Sequence, residues 1–113
     1  MHERAPKLLA DAIAAIEAAT SFLQGANLEQ YMANAMMRSA VERQLEILGE
    51  ACSRLDKLDA KMVLAIPDIR LAIGLRNRII HGYDAVDDAV VHETVQQDLQ
   101  NLRLALKSAL MAL

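Results

Sequence analysis

Leu9, Ile13, Ile16, Ala19 and Leu23 recur at spacings of three and four, the period of a helix that buries one face. Pro6 is tolerated only in a first helical turn, so this helix starts near Arg4 or Ala5, and Gln24-Gly25 closes it. Asn27, with Gln30 three residues on, has the spacing of a capping box. A second stripe of Val41, Leu45, Leu48, Cys52 and Leu55 then predicts one helix from Asn27 to about Leu55, about 40 Å long at 1.5 Å per residue. Leu58-Asp59 interrupts the pattern, and Asp59 caps a short turn through Ala65. Pro67 opens a further helix, with Asp68 near its positive end. Asp84 to Asp88 supply a turn and a cap. Val91, Val95, Leu99, Leu102, Leu106 and Leu110 predict a last helix from about Asp88 to Ala112. Short connections make neighbouring helices antiparallel. The predicted architecture is all-α, an antiparallel four-helix bundle with a short extra helical turn, forming one domain over residues 1–113.

Composition supports that reading and narrows the chemistry. Apolar residues make up 54% of the chain but aromatics only 3%, so Leu, Ile, Val, Ala and six Met fill the core. A net charge of −3 provides no bulk attraction for nucleic acid. The stretch from Pro67 to Tyr83 has the opposite balance, with three arginines and His81 against the single acid Asp68. A single cysteine, Cys52, excludes an internal disulfide and suits a reducing cytoplasm; its place among apolar positions marks it as a small core residue rather than a reactive thiol. No signal-peptide pattern and no run approaching the ~18 apolar residues of a membrane span is present, so a soluble, cytoplasmic protein with no membrane partner is expected. His2, His81 and His92 have no close partners at ligand spacing, and neither a metal nor a cofactor is expected. Met32, Met36 and Met37 read as adaptable packing, with a subunit interface as one use for it.

The helix from Pro67 carries the candidate chemistry. Each residue advances about 100°, which places Asn77, Arg70 and His81 between about 100° and 140° from Arg76 on one arc, while Leu75, Ile79 and Ala72 occupy the opposite arc. Ile73 and Ile80 lie close to the polar arc and give that face an apolar reason to associate. Gly82 reads as the residue that turns the chain out of the helix, leaving His81 in the last turn and Tyr83 in the exit loop.

Arg76, His81 and Tyr83 form the pattern Arg, four residues, His, one residue, Tyr, which resembles the signature of HepT-type toxins of the HEPN superfamily. Gly74-Leu75-Arg76-Asn77, Val86-Asp87, Asp98-Leu99 and Leu48-Gly49-Glu50-Ala51 resemble that family too, so the likeness runs from about Ala40 to Leu106. The chain departs from relatives that carry tryptophan beside the motif, having none. The resemblance implies a type VII toxin, a ribonuclease working as a homodimer with a composite site. It also implies a nucleotidyltransferase antitoxin that adds AMP to the motif tyrosine, here Tyr83, and leaves a larger assembly with that partner open.

The residues permit these roles and bland ones. Arg76 can match a phosphate with its planar guanidinium and stabilise a five-coordinate phosphorane, or pair with an acid such as Glu50. His81 can act as general acid or base, or simply sit favourably at a helix C-terminus. Asn77 can fix the imidazole tautomer or be solvated. Arg70 and Arg78 read as a general cationic surface supporting RNA, and Tyr83 either packs its ring or exposes its hydroxyl. Metal-free RNA cleavage needs a base for the 2′-OH, an acid for the leaving oxygen and a cation for the phosphorane, whereas one chain offers one well-placed histidine. Two chains with motif faces together would supply the set. The leading expectation is a metal-independent endoribonuclease; the alternatives are a non-catalytic nucleotide- or RNA-binding module that docks a nucleotidyltransferase, and a purely structural adaptor.

Overall fold

A computed structural model describes residues 3–82, 84 and 86–113. Among these residues the chain forms α1 (Ala5–Leu23), α2 (Leu28–Ala33), α3 (Ala35–Leu58), α4 (Ala60–Ala65), α5 (Asp68–His81), α6 (Asp88–Gln96) and α7 (Asp98–Met111), with no strand. Four rods make the bundle, two of them broken once: α1, α2 with α3, α5, and α6 with α7. The turn expected from Asp59 to Ala65 is α4.

Several ends are set by the residues that predicted them. Pro6 lies in the first turn of α1, and Gln24 and Gly25 leave that helix with φ of 54° and 68°. The Asn27–Gln30 capping box is complete, the Asn27 side chain accepting from Gln30 N at 2.8 Å and the Gln30 side chain accepting from Asn27 N at 2.9 Å. Asp59 accepts from Met62 N, and Asp87 accepts from Ala89 N and Val90 N, so each caps the helix that follows.

Two expectations fail locally. The long second helix is interrupted at Asn34, whose side chain accepts from Met37 N at 3.0 Å and caps α3. An asparagine that bonds the backbone ahead of it competes with helix continuation. Tertiary packing fixes the break, because Tyr31 is fully buried with its ring 5.8 Å from that of His92, and Arg38 donates to the Met32 carbonyl. The last helix is interrupted at Gln97; there Gln100 donates to the Val95 carbonyl at 2.9 Å and to Thr20 Oγ1 at 2.8 Å, replacing a bond the break removes and tying α7 to α1. Gly82 ends α5 directly after His81, as expected, and does so with φ of −135°.

The core is built from the predicted stripes. Leu9, Ile16, Leu45, Leu48, Leu55, Ile69, Leu99, Leu102 and Leu106 are almost wholly removed from water. The N-terminal part of α1 packs beside the C-terminal part of α3, where Leu8 approaches Arg54 and Leu58. Glu17 of α1 pairs with Lys107 at 3.1 Å and Arg103 at 3.9 Å on α7. Both neighbours of α1 therefore run antiparallel to it. Cys52 is fully buried, and burial pushes its thiol up to about 12, which makes it core rather than nucleophile. No helix among the described residues is long and apolar enough to cross a membrane.

Candidate functional site: a motif helix against a glycine

Ile69, Ala72, Leu75 and Ile79 bury one side of α5 against the bundle, as the helical period requires. The remaining circumference presents Arg70, Gly74, Asn77, Arg78 and His81 to solvent. Ile80 is exposed at 41%, whereas Ile73 is half-buried against the core, so only one of the two isoleucines is free to meet another surface.

Arg76 lies between these faces and is held from α3. Its Nη2 pairs with Glu50 Oε2 at 3.2 Å, while Arg54 Nε donates to Glu50 Oε1 at 3.0 Å. One carboxylate thus takes a guanidinium on each oxygen. The aliphatic stem of Arg76 rests on Gly49: a β-carbon built there would stand 2.2 Å from Arg76 Cβ and 2.7 Å from its Cδ. Any side chain at this position would force α3 and α5 apart or expel the arginine. A glycine inside a helix costs about 1 kcal/mol relative to alanine, and close approach is the physical reason to accept that cost here.

Asn77 does not serve the imidazole. Its Oδ1 instead accepts a long bond from Arg76 Nη1 at 3.4 Å. His81 is exposed and makes no hydrogen bond or ion pair among the described residues, so no bond among them ties the histidine of the motif to its arginine. Arg70 and Arg78 have no acidic partner among the described residues either, in contrast to Arg38, Arg43, Arg54, Arg76 and Arg103, each of which pairs with one. The exposed face of α5 therefore carries two arginines that no carboxylate among the described residues pairs with. Tyr83 lies outside the described residues.

Arg76 and Ile80 also line a groove of about 650 Å³ between α1, α3 and α5, with Leu8, Ala15, Glu46 and Arg54 among its walls. Elsewhere His92 is accounted for structurally, its Nε2 lying 2.7 Å from the Ala26 carbonyl. No three His, Cys, Asp or Glu side chains among the described residues gather closely enough to hold a metal ion. Gly49 was visible in the sequence only as part of a resemblance. Its contact with Arg76 depends on the packing of two helices, which no local pattern encodes.

An all-α bundle whose motif helix carries arginine and histidine five residues apart is the form of a HEPN-superfamily protein. More narrowly, the chain belongs to the ribonuclease HepT-like family, whose model matches residues 12–109. It is 32% identical over 95 residues to a Thermococcus cleftensis protein named "Probable ribonuclease HepT", covering 84% of this chain and 86% of that one. A Methanocaldococcus jannaschii protein named as a candidate RNase is 30% identical over 95 residues, 84% of this chain and 81% of the relative. A third, from Caldanaerobacter subterraneus and named in the same way, is 28% identical over 88 residues, 78% of each chain. No solved structure matches the chain with significance.

Proposed function

We propose that this protein is a metal-independent endoribonuclease of the toxin type, active as a homodimer and neutralised by a nucleotidyltransferase antitoxin that adenylylates Tyr83. The observation that carries the reading is the division of labour on α5: a guanidinium held in place by Glu50, and an imidazole left exposed at the end of the same helix. Family membership and the ribonuclease names of the relatives support RNA as the substrate class.

In this mechanism His81 takes the proton of a ribose 2′-OH, the oxygen attacks the adjacent phosphorus, and Arg76 stabilises the charge of the phosphorane. A second acid protonates the departing 5′-oxygen, leaving a 2′,3′-cyclic phosphate and a 5′-hydroxyl. The His81 of a second copy supplies that acid, which accounts for a chain that offers one motif histidine and for exposed Ile80 beside Arg76. Arg70 and Arg78, with no acidic partner among the described residues, attract the flanking phosphates. Tyr83, two residues after His81 in the chain, is where a bulky anionic AMP group would obstruct an incoming phosphodiester.

The test is incubation of total cellular RNA with wild-type protein and His81→Ala in excess chelator. Discrete fragments ending in 2′,3′-cyclic phosphate, made by the wild type alone, are the expected result; equal cleavage by the variant would remove His81 from the mechanism. The second reading, a non-catalytic RNA-binding module that docks a nucleotidyltransferase, is favoured by the pairing of Arg76 with Glu50, which occupies part of its guanidinium. It predicts RNA binding and complex formation without turnover.

A further inference from the structure

The ion pair between Glu50 and Arg76 raises a physical question, because a carboxylate beside a phosphate-binding arginine can either quench it or aim it. Three observations favour aiming. First, Glu50 divides its charge: Oε1 accepts from Arg54 at 3.0 Å and Oε2 faces Arg76 at 3.2 Å, so two guanidiniums against one carboxylate leave the trio net positive. Second, the contact engages Arg76 through Nη2 alone and Asn77 touches only Nη1, which leaves the Nε donor and further N–H groups for a bidentate phosphate contact. Third, the preceding residue, Gly49, fixes the other end of the same side chain, whose stem lies against bare backbone. Adjacent residues of α3 thus restrain Arg76 at its base and at its tip. An arginine carries considerable rotamer entropy, and a guanidinium already immobilised does not lose it when the phosphorane forms.

We infer that Glu50 is a positioning residue for Arg76, with Gly49 providing the close approach of α3 to α5 on which that positioning depends. The inference rests on the ribonuclease reading for its catalytic consequence and on the structure for its geometry. Glu50 itself touches no reacting atom. It sets the plane of the guanidinium, and removing it leaves the cation in place but mobile.

The experiment uses the full chain and a defined RNA oligonucleotide containing one cleavage site, comparing wild type, Glu50→Ala, Arg76→Ala and the double variant. Misorientation of a catalytic group costs up to about 10²-fold in rate, so Glu50→Ala is expected to lower kcat by about 10- to 100-fold with KM little changed. The double variant is expected to be no slower than Arg76→Ala, because Glu50 acts only through Arg76. Wild-type kcat in Glu50→Ala, or a double variant slowed by the product of the two single effects, would overturn the inference. A readout independent of turnover accompanies it: the Arg76 Nη2–H resonance in a ¹⁵N NMR spectrum, distinct and slowly exchanging in the wild type and averaged with Nη1–H in Glu50→Ala. If the wild type cleaves no RNA but this resonance behaves as stated, the ribonuclease reading fails and the positioning of Arg76 stands. If the resonance is unchanged in Glu50→Ala, positioning fails whatever the activity.

Discussion

Arg76 and His81 stand five residues apart on one helix, and their surroundings have little in common. Arg76 is gripped by Gly49, Glu50 and Asn77 at the edge of a groove, with 27% of its side chain exposed. His81 lies at the last turn of α5 with no partner among the described residues. The chain has spent packing, a helix-interior glycine and a buried approach on the cation and nothing comparable on the imidazole. A group that stabilises charge works by being fixed beforehand, whereas a group that moves a proton must reach the substrate. The difference teaches that the chain fixes its cation and leaves its imidazole open. Under the proposed function that is one half of a phosphodiester-cleaving site, and a second copy and the RNA complete the other half.

That contrast breaks most visibly at its two poles. His81→Ala is expected to lower the cleavage rate by about 10²- to 10⁴-fold, the range for loss of a general acid–base. Arg76→Ala is expected to cost about 10²- to 10³-fold, as for loss of a preorganised donor to the transition state. Single-turnover assays on the oligonucleotide would measure both, and a rate within twofold of wild type for either variant would end the comparison. Gly49→Ala should act at the braced pole alone: overpacking costs about 1–3 kcal/mol, partly offset by about 1 kcal/mol of helix propensity. Its thermal midpoint therefore falls modestly while its activity falls much further, because the alanine Cβ occupies the place of Arg76's stem. A fall in stability with activity intact would mean that the close approach serves packing only.

The smallest effects belong to the open face. Arg70→Ala and Arg78→Ala should each weaken RNA binding with little change in kcat, and should each reduce the slope of log affinity against log salt by about 0.7, the value for one phosphate contact on a single strand. Binding titrations at several salt concentrations would check this. An unchanged slope would mean that these two arginines do not meet phosphate. Cys52 offers a control in the opposite sense. Its thiol is buried and pushed up to about 12, so thiolate-directed reagents should leave the native protein unmodified and label it only on unfolding.

Much of this was legible in the sequence because it is local. The stripes of α1, α3, α5 and α7, the Asn27–Gln30 box and the caps at Asp59 and Asp87 are all short-range patterns. The motif residues announced themselves as polar groups in an apolar chain, and of the arc of Arg70, Arg76, Asn77 and His81 that helical geometry gives, Arg70, Asn77 and His81 are exposed. What escaped was set by tertiary contact. Asn34 ends a helix because Tyr31 docks in the core, and Gln97 does so where Gln100 reaches Thr20 on another helix. The pairing of Arg76 with Glu50 was one of two options until two helices were placed side by side. Asn77 likewise had two options, fixing the imidazole or being solvated, and its contact with Arg76 was neither, since i and i+4 are close enough to bond without being obliged to.

The central claim is that the exposed half of the site is completed by a second copy of the chain. The most direct measurement is the cleavage rate per chain, in chelator, over a dilution series that spans the monomer–dimer transition followed by sedimentation. The account predicts that the rate per chain falls in step with the dimer fraction. An undiminished rate per chain in solutions where the protein sediments as a monomer would contradict it.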